Sequence, residues 1–158
     1  MKAATHPPKE WAFFIKKIRH FFDSRGFLEV FTPHLVAAGA FENALDPLKV
    51  RGINETAELH TSPEMEMKAL MAAHPEPIFQ ICKCFRDDPD TSIHFKEFTM
   101  LEFYRPHCTY QETRKDMRNL LETLSSNKVM FEEWSVDELF KKHVGISLLD
   151  AQSQIAFL

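Results

Sequence analysis

Two β-prone segments on either side of a turn-rich loop constrain this chain more than any other feature. Residues 78–85 read IFQICKCF and residues 97–104 read EFTMLEFY, both with roughly alternating polarity. Between them lies a run of turn-forming residues, Asp87-Asp88-Pro89-Asp90-Thr91-Ser92. Two such segments joined by a polar loop predict a long antiparallel hairpin.

The hairpin carries side chains that suit phosphates and amines. Arg86 ends the first strand, and its planar guanidinium matches a phosphate. Phe98, if it faces a cleft, can stack on adenine. Glu102 and Tyr104 share one face of the second strand because side chains alternate with a period of two, and a carboxylate beside a phenol suits a cationic amine. An ordinary hairpin with a solvated rim explains Glu102 or Tyr104 equally well when each is taken alone.

This pattern resembles motif 2 of the class II aminoacyl-tRNA synthetases, and the lysyl type most of all. The family has F-R-x-E, a variable loop and then H-x-x-E-F-T-x-x-E-x-Y. The chain has Phe85-Arg86-Asp87-Asp88 and then HFKEFTMLEFY at 94–104. Within the lysyl type, EFTMLEFYRPH is similar to the elongation factor P–lysine ligase group, which lacks an anticodon-binding domain. Motif 2 lies at about 84–106, and the resemblance runs from about residue 9 to about residue 150.

The resemblance implies an ATP site on the hairpin, with Arg86 as the catalytic residue that offsets charge at the α-phosphate. The implied ATP-binding residues are Arg86, Asp88, His94, Phe95 and Phe98. Three positions near the implied adenine site depart from the family. Asp88 stands where the family has glutamate, and Phe95 and Lys96 stand where it has asparagine and proline.

A second informative stretch, ELHTSPE at 58–64, leads from a short strand into a helix. Ser62 can cap that helix, and Pro63 fits its first position. Glu64 is favourable in a first helical turn whatever its role. The stretch resembles the T-S-P-E element of lysyl-type synthetases, whose glutamate holds the substrate's α-amino group. The resemblance therefore implies an amino-acid site made of Ser62, Glu64, Glu102 and Tyr104.

An amphipathic helix is predicted over 9–25, after Pro7-Pro8. Its apolar face contains Trp11, Phe14, Ile15, Ile18, Phe21 and Phe22. Gly26 is placed as a helix-ending glycine, and a strand at 27–31 follows it and stops at Thr32-Pro33. Helix, glycine, strand and proline resemble motif 1, at about 9–33, which builds the dimer interface in that family. We therefore expect a homodimer, although a helix that covers only its own sheet has the same pattern.

Two more helices are predicted after the hairpin. A capping box at 109–112 opens a helix that runs to about Ser125. Its predicted buried stripe is Met117, Leu120, Leu121 and Leu124, and its predicted solvated residues are Arg114, Lys115, Asp116 and Arg118. A short strand is predicted at 129–131. Ser135 caps a helix over 136–143 that Gly145 ends.

Composition indicates one packed domain. The 158 residues are 44% hydrophobic, with 15 Phe, which is enough for a core. We expect an α/β (α+β) fold over 1–158, with an antiparallel sheet flanked by helices, as an incomplete class II synthetase domain. The net charge of −4 disfavours tRNA as a partner. Three cysteines, no signal peptide and no membrane span predict a cytoplasmic protein.

Metal ligands are not expected within the chain. Cys82-Lys83-Cys84 is too tightly spaced for the usual zinc pair, and no second cysteine pair is present. The chain has 4 glycines, none in a run, so we expect no motif 3, the glycine-rich element whose arginine grips the ATP γ-phosphate. The resemblance implies Mg²⁺ as a cofactor, with its ligands outside this chain.

The activity that the resemblance implies is that of a ligase. ATP and a lysine-like amino acid form an aminoacyl-adenylate, and the acyl group passes to a lysine of elongation factor P. Two alternatives remain open. One is a catalytically inactive truncated paralogue or fragment that binds nucleotide or amino acid, or dimerises; the other is a fragment of a lysyl-tRNA synthetase. Without a motif 3, we expect little or no adenylation by these 158 residues alone.

Overall fold

The computed structural model describes residues 7–40, 42–52, 57–89, 91, 94–148 and 150. Asp90 and Ser92 of the predicted hairpin loop lie outside the described residues. The chain forms two compact units with their boundary in the sequence between Ser126 and Asn127. The elements in chain order are α1 (Pro8–Asp23), β1 (Leu28–Glu29), β2 (Leu35–Val36), β3 (Glu58–Leu59), α2 (Glu64–Ala73), β4 (Ile78–Phe85), β5 (Glu97–Tyr104), α3 (Tyr110–Leu124) and α4 (Val136–Val144).

The predicted hairpin forms the centre of the first unit. β4 and β5 pair antiparallel along their whole lengths, with Ile78 opposite Tyr104 and Phe85 opposite Glu97. β1 pairs in parallel with the other edge of β4, which gives the sheet order β1-β4-β5. The mixed α and β fold is confirmed, and the described sheet is antiparallel apart from the short β1.

α1 begins with a proline in its first turn and is ended by Gly26, as the sequence predicts, and the structure shows that this end is a Schellman motif. Gly26 adopts a left-handed φ of 74°. The Phe27 N–H donates to the Phe22 carbonyl at 3.1 Å, and the Gly26 N–H donates to the Asp23 carbonyl at 3.0 Å. The Phe22 and Phe27 rings meet edge to face, 5.1 Å apart. This hydrophobic contact is the usual companion of the motif, and it directs the chain from α1 into β1.

The core of the first unit lies between α1, α3 and one face of the sheet. Phe22 stacks on Phe79 of β4 with their ring centroids 4.6 Å apart. The other buried members of this cluster are Ile18, Phe21, Phe27 and Leu120. Ile18 and Phe21 belong to the apolar face of α1 that was expected to build a dimer interface. Both are buried in the chain's own core, so this part of the prediction is wrong.

The predicted buried stripe of α3 is partly wrong. The capping box is present, since the Thr109 N–H donates to Glu112 Oε2 at 2.7 Å and Thr109 Oγ1 accepts from the Glu112 N–H. Met117 and Leu121, however, are 42% and 43% exposed, whereas Asp116 is buried. Arg105 follows β5 and places its Nη2 atom 2.8 Å from Asp116 Oδ2. The helix therefore presents a carboxylate to this guanidinium instead of a purely apolar stripe.

A second, two-stranded sheet positions the segment that leads into α2. β2, which the sequence analysis did not predict, pairs antiparallel with β3, with Leu35 opposite Leu59. Lys49 extends this pairing with an isolated antiparallel bridge to Glu58. The carbonyl of Gly39 accepts from both the N–H and the hydroxyl of Thr61, at 2.8 and 2.9 Å.

The second unit contains α4, whose two ends follow the sequence prediction. Ser135 and Glu138 form a capping box, and Gly145 ends the helix with a left-handed φ of 87°. The prediction of a strand at 129–131 is wrong, because these residues are irregular. The described part of this unit contains no strand with which they could pair.

None of the helices in the described ranges has the length and hydrophobicity needed to cross a bilayer.

Candidate functional site

Successive side chains of β4 and of β5 point to opposite sides of the sheet, so the sheet has a core face and a polar face. Phe79 points into the core, so Gln80, Cys82 and Cys84 lie on the other face. Their partners across the β4–β5 ladder are Glu102, Met100 and Phe98. Period-two geometry alone therefore collects the polar side chains of the hairpin on the face away from α1.

A cavity of about 390 Å³ opens on this polar face, against the start of α2 and the loop at Gly39. Its charged lining consists of four glutamates and one arginine, Glu42, Glu64, Glu66, Glu102 and Arg86. A concave wall with an excess of carboxylates attracts cations. The cavity therefore suits a ligand that carries amino groups and presents an anionic group to the single guanidinium.

Glu102 is held in place by Tyr104, two residues along the same strand. The Tyr104 hydroxyl donates to Glu102 Oε1 at 2.6 Å. Burial, and then the hydrogen bond to Glu102, raise the pKa of Tyr104 well above its ordinary value of 10.0. The phenol therefore remains a donor at neutral pH, and it orients a carboxylate on the cavity wall.

Gln80, opposite Glu102, adds an unused polar group. Its side chain is almost fully buried, and within the described part of the chain neither its amide nitrogen nor its amide oxygen has a hydrogen-bond partner. A buried amide without partners costs about 1–3 kcal/mol. The sequence analysis did not single out Gln80, because a glutamine in an alternating strand gives no functional signal.

Arg86 leaves the end of β4 with its side chain over Phe98. The guanidinium carbon lies 5.1 Å from the centroid of the Phe98 ring, and the backbone N–H donates to the Lys96 carbonyl at 3.0 Å. The buried Nε atom has no hydrogen-bond partner among the residues that the structure describes. A buried, unpaired guanidinium N–H is a favourable position for an anion such as a phosphate.

The start of α2 brings Ser62 and Glu64 to the same cavity. The Glu64 N–H donates to Ser62 Oγ at 3.1 Å, but Ser62 precedes the N-cap, so the prediction that it caps the helix is wrong. The helix begins one residue later than predicted, because Pro63 lies at the N-cap and not in the first turn. Glu64 forms an ion pair with Lys68 one turn along the helix. A substrate amine at Glu64 would share that carboxylate with Lys68.

Asp88, His94 and Phe95 lie in the hairpin loop and not on the cavity wall. His94 is exposed, and its Nδ1 atom lies 3.0 Å from Thr91 Oγ1. Asp88 and Phe95 are half-buried. The structure thus brings together Ser62, Glu64, Arg86 and Glu102, and the ATP contacts expected of the loop residues stay predictions.

Gly39 also lines the cavity, and sequence reasoning missed it. A Cβ atom at this position would lie 2.6 Å from the Leu59 carbonyl oxygen and 2.7 Å from Pro47 Cβ. The Gly39 N–H donates to Glu58 Oε2 at 2.8 Å. No local pattern distinguishes this glycine from a flexible loop residue, because its crowding comes from residues that are distant in sequence.

His60 also lines the cavity, and one of its ring nitrogens lies within 4.8 Å of the two thiols of Cys82 and Cys84 on β4. Burial lowers the pKa of its imidazole, but the neighbouring Cys82 thiol and the hydrogen bond to the Lys83 carbonyl outweigh burial, and the pKa is raised overall. The sulfur contact between Cys82 and Cys84 lowers the pKa of Cys82 and raises that of Cys84. The T-S-P-E element adjoins His60 and could have drawn attention to it.

The described residues do not fit a magnesium site. Mg²⁺ prefers oxygen ligands in octahedral geometry, and across the described ranges no three carboxylates converge closely enough to hold an ion. No chemical step is therefore assigned to Mg²⁺ here.

Comparison with known proteins gives a consistent set of relatives. Residues 11–152 match the family model described as tRNA synthetases class II (D, K and N). The chain is 38% identical over 149 residues to the elongation factor P–(R)-beta-lysine ligase homolog of Aquifex aeolicus, covering 92% of this chain and 50% of that protein. It is 40% identical over 144 residues to the elongation factor P–(R)-beta-lysine ligase of Pasteurella multocida, covering 87% and 44%. The chain spans about half the length of the curated relatives it matches.

Proposed function

The chain belongs to the class II tRNA synthetase family (D, K and N), and from this premise we propose that it acts as an ATP-dependent ligase that activates lysine or a lysine-like amino acid. The observation that carries the proposal is the cavity wall, where four glutamates face a single arginine. The names of the relatives specify (R)-beta-lysine as the amino acid and elongation factor P as the protein. We propose the same pair for this chain, with a lysine of elongation factor P as the acceptor.

In the first step, a carboxylate oxygen of the amino acid attacks the α-phosphorus of ATP. The bond between that phosphorus and the bridging oxygen breaks, and pyrophosphate leaves with the electron pair. Arg86, whose Nε is buried without a partner in the described structure, donates to the α-phosphate and offsets the charge that develops there. The protein otherwise acts by positioning, because it holds the carboxylate in line with the phosphorus.

The two amino groups of the substrate account for the acidic wall. We assign the side-chain ammonium to Glu102, which Tyr104 orients at 2.6 Å, and the amino group nearer the carboxylate to Glu64. In the second step, the acceptor amine attacks the carbonyl carbon of the adenylate, AMP leaves, and the amine loses a proton to solvent. The described residues assign no general base to that proton.

We also propose that the protein is a cytoplasmic homodimer. Phe13 on α1 and Phe31 after β1 are 61% and 79% exposed, and both lie in the segment at about 9–33 that resembles motif 1, the dimer-building element of the family. The three cysteines are free thiols, in keeping with a reducing compartment.

Titration calorimetry with (R)-beta-lysine, lysine and leucine tests the proposal directly. We expect the two cationic amino acids to bind at least about tenfold more tightly than leucine, since a charge-assisted hydrogen bond contributes about 1.5–3 kcal/mol. Equal affinities for lysine and leucine would contradict the assignment. Amino-acid-dependent ATP–pyrophosphate exchange, with Arg86→Ala as the control, then tests whether these 158 residues suffice for activity. Little or no exchange is expected of them alone, and exchange well above the control would show that the ligase reaction does not need a motif 3.

A further inference from the structure

Three buried side chains that the proposed ligase chemistry does not use converge beside the cavity. One ring nitrogen of His60 and the sulfur atoms of Cys82 and Cys84 all lie within 4.8 Å of one another. All three residues are buried. From this geometry we infer that His60, Cys82 and Cys84 form a binding site for Zn²⁺.

The two sulfur atoms already lie at the distance from each other that tetrahedral zinc requires. Cys82 and Cys84 are two residues apart on β4, so their side chains lie on the same face of the strand. Their Sγ atoms are 3.8 Å apart. In tetrahedral coordination with Zn–S bonds of about 2.3 Å, two sulfur ligands lie about 3.8 Å apart. A cation between them therefore needs little movement of the strand.

His60 is arranged as metal-binding histidines usually are. Its Nε2 atom lies 2.7 Å from the Lys83 carbonyl oxygen, and because a carbonyl only accepts, Nε2 carries the proton. Nδ1 then holds the lone pair, and it has no hydrogen-bond partner in the described part of the chain. Ligating histidines typically donate their other N–H to a carbonyl or carboxylate in this way.

The charge balance of the site also suits burial. When Zn²⁺ binds, the two thiols release two protons, and the resulting ion, two thiolates and neutral imidazole sum to zero charge. An uncharged assembly avoids the large cost of an isolated buried charge. Three protein ligands leave a fourth coordination position. Since His60 lines the cavity, a water molecule from the cavity is the ligand that we assign to it.

The ion would join two parts of the substrate site. His60 lies two residues before Ser62, whereas both cysteines belong to β4, which ends one residue before Arg86. A bond through zinc would therefore fasten the start of α2 to the hairpin, and would hold Glu64 and Arg86 at a constant separation. The role we assign to the site is positioning, and no step of the ligase reaction passes through the metal.

The test begins with the reduced, metal-free protein. Zn²⁺ titrated in competition with a chromophoric chelator should give one ion per chain with release of two protons. Co²⁺ in its place should give thiolate-to-cobalt charge-transfer absorption. X-ray absorption of the zinc-loaded protein should show two sulfur ligands at about 2.3 Å and nitrogen or oxygen ligands at about 2.0–2.1 Å.

Cysteine variants provide the matched comparison. Cys82→Ser and Cys84→Ser should each lower zinc affinity at least about tenfold. Even the loss of a residue that only hydrogen-bonds a metal ligand typically lowers metal affinity by that much. Cys108→Ser should retain wild-type affinity, because Cys108 lies outside the cluster. Unchanged affinity in both cluster variants, or an equal loss in Cys108→Ser, would overturn the site. If the cluster variants do not fold, X-ray absorption of the zinc-loaded wild-type protein is the deciding test. Zinc bound without any sulfur ligand would overturn the proposal.

Discussion

The Tyr104 hydroxyl lies 2.6 Å from Glu102 Oε1 and donates its proton there. Both residues are on β5 and share a face because side chains alternate along a strand. The phenol thus orients the carboxylate that we assign to the substrate's side-chain ammonium. This one contact leads to two separate predictions, one for each partner.

Glu102→Gln should weaken lysine binding by about 1.5–3 kcal/mol, or roughly 10- to 150-fold, because the amide cannot supply the negative charge of the hydrogen bond. Titration calorimetry measures the loss. Leucine, which has no side-chain amine, serves as the control ligand, and its affinity should change little. An equal loss for lysine and leucine would show that Glu102 acts through the fold and not on the amine.

Tyr104→Phe should alter the alkaline behaviour of the protein. Burial and the Glu102 contact raise the pKa of Tyr104 above 10.0, so the folded state favours the protonated phenol. Its contribution to stability is complete below pH 10.0 and is lost as the pH rises from there toward the folded-state pKa. Tyrosinate absorbance of the native protein should show a component above the ordinary range that Tyr104→Phe removes.

Tyr110→Phe is the matched control for that measurement, since Tyr110 is the only other tyrosine in the chain and its side chain is 72% exposed. The high-pH component should persist in this variant. Loss of the component in Tyr110→Phe, and not in Tyr104→Phe, would contradict the assignment.

Arg86→Lys should weaken ATP binding roughly 10- to 150-fold, because an ammonium keeps the charge but loses the planar fork that matches a phosphate. Fluorescent ATP-analogue displacement measures the effect. Arg25→Lys is the control, since the Arg25 guanidinium also lies over a phenyl ring, that of Phe21, but at the end of α1. Comparable losses in both variants would argue against a specific phosphate contact at Arg86.

Gly39→Ala should destabilise the protein by about 1–3 kcal/mol, the usual cost of inserting a methyl group into a packed region. Its Cβ would meet the Leu59 carbonyl and Pro47 at 2.6 and 2.7 Å, so β3 and the segment around Pro47 must shift. Urea denaturation gives the change in the free energy of unfolding. Ala37→Gly, at an exposed position of the same loop, should cost less, and the reverse order would refute the steric explanation.

Phe31→Asp should convert a dimer into a monomer, because a charge in an apolar interface is costly to desolvate. Sedimentation at tens of micromolar, an order-of-magnitude choice for weak homodimers, should show a dimer for the wild type. Met130→Asp, at a residue that is 81% exposed in the second unit, should leave the dimer intact. A monodisperse wild-type monomer would contradict the proposed assembly.

Local sequence signals predicted the elements that depend on neighbouring residues. The bounds of β4 and β5, the capping box at Thr109, the helix cap at Ser135 and the helix-ending Gly26 were all predicted correctly. Each of these depends on residues within a few positions of one another, where periodicity, capping and backbone preference act directly. The motif 2 pattern was likewise sufficient to indicate the family.

Tertiary packing decided which side chains meet. Asp116 is buried because Arg105 lies against α3, and Ile18 and Phe21 face the chain's own core because the sheet covers that side of α1. Cys82-Lys83-Cys84 alone has no zinc-like spacing, yet the fold places His60, more than 20 residues earlier, beside both sulfurs. Periodicity determines the face on which a side chain lies, but only the packing of distant segments determines what that face contacts.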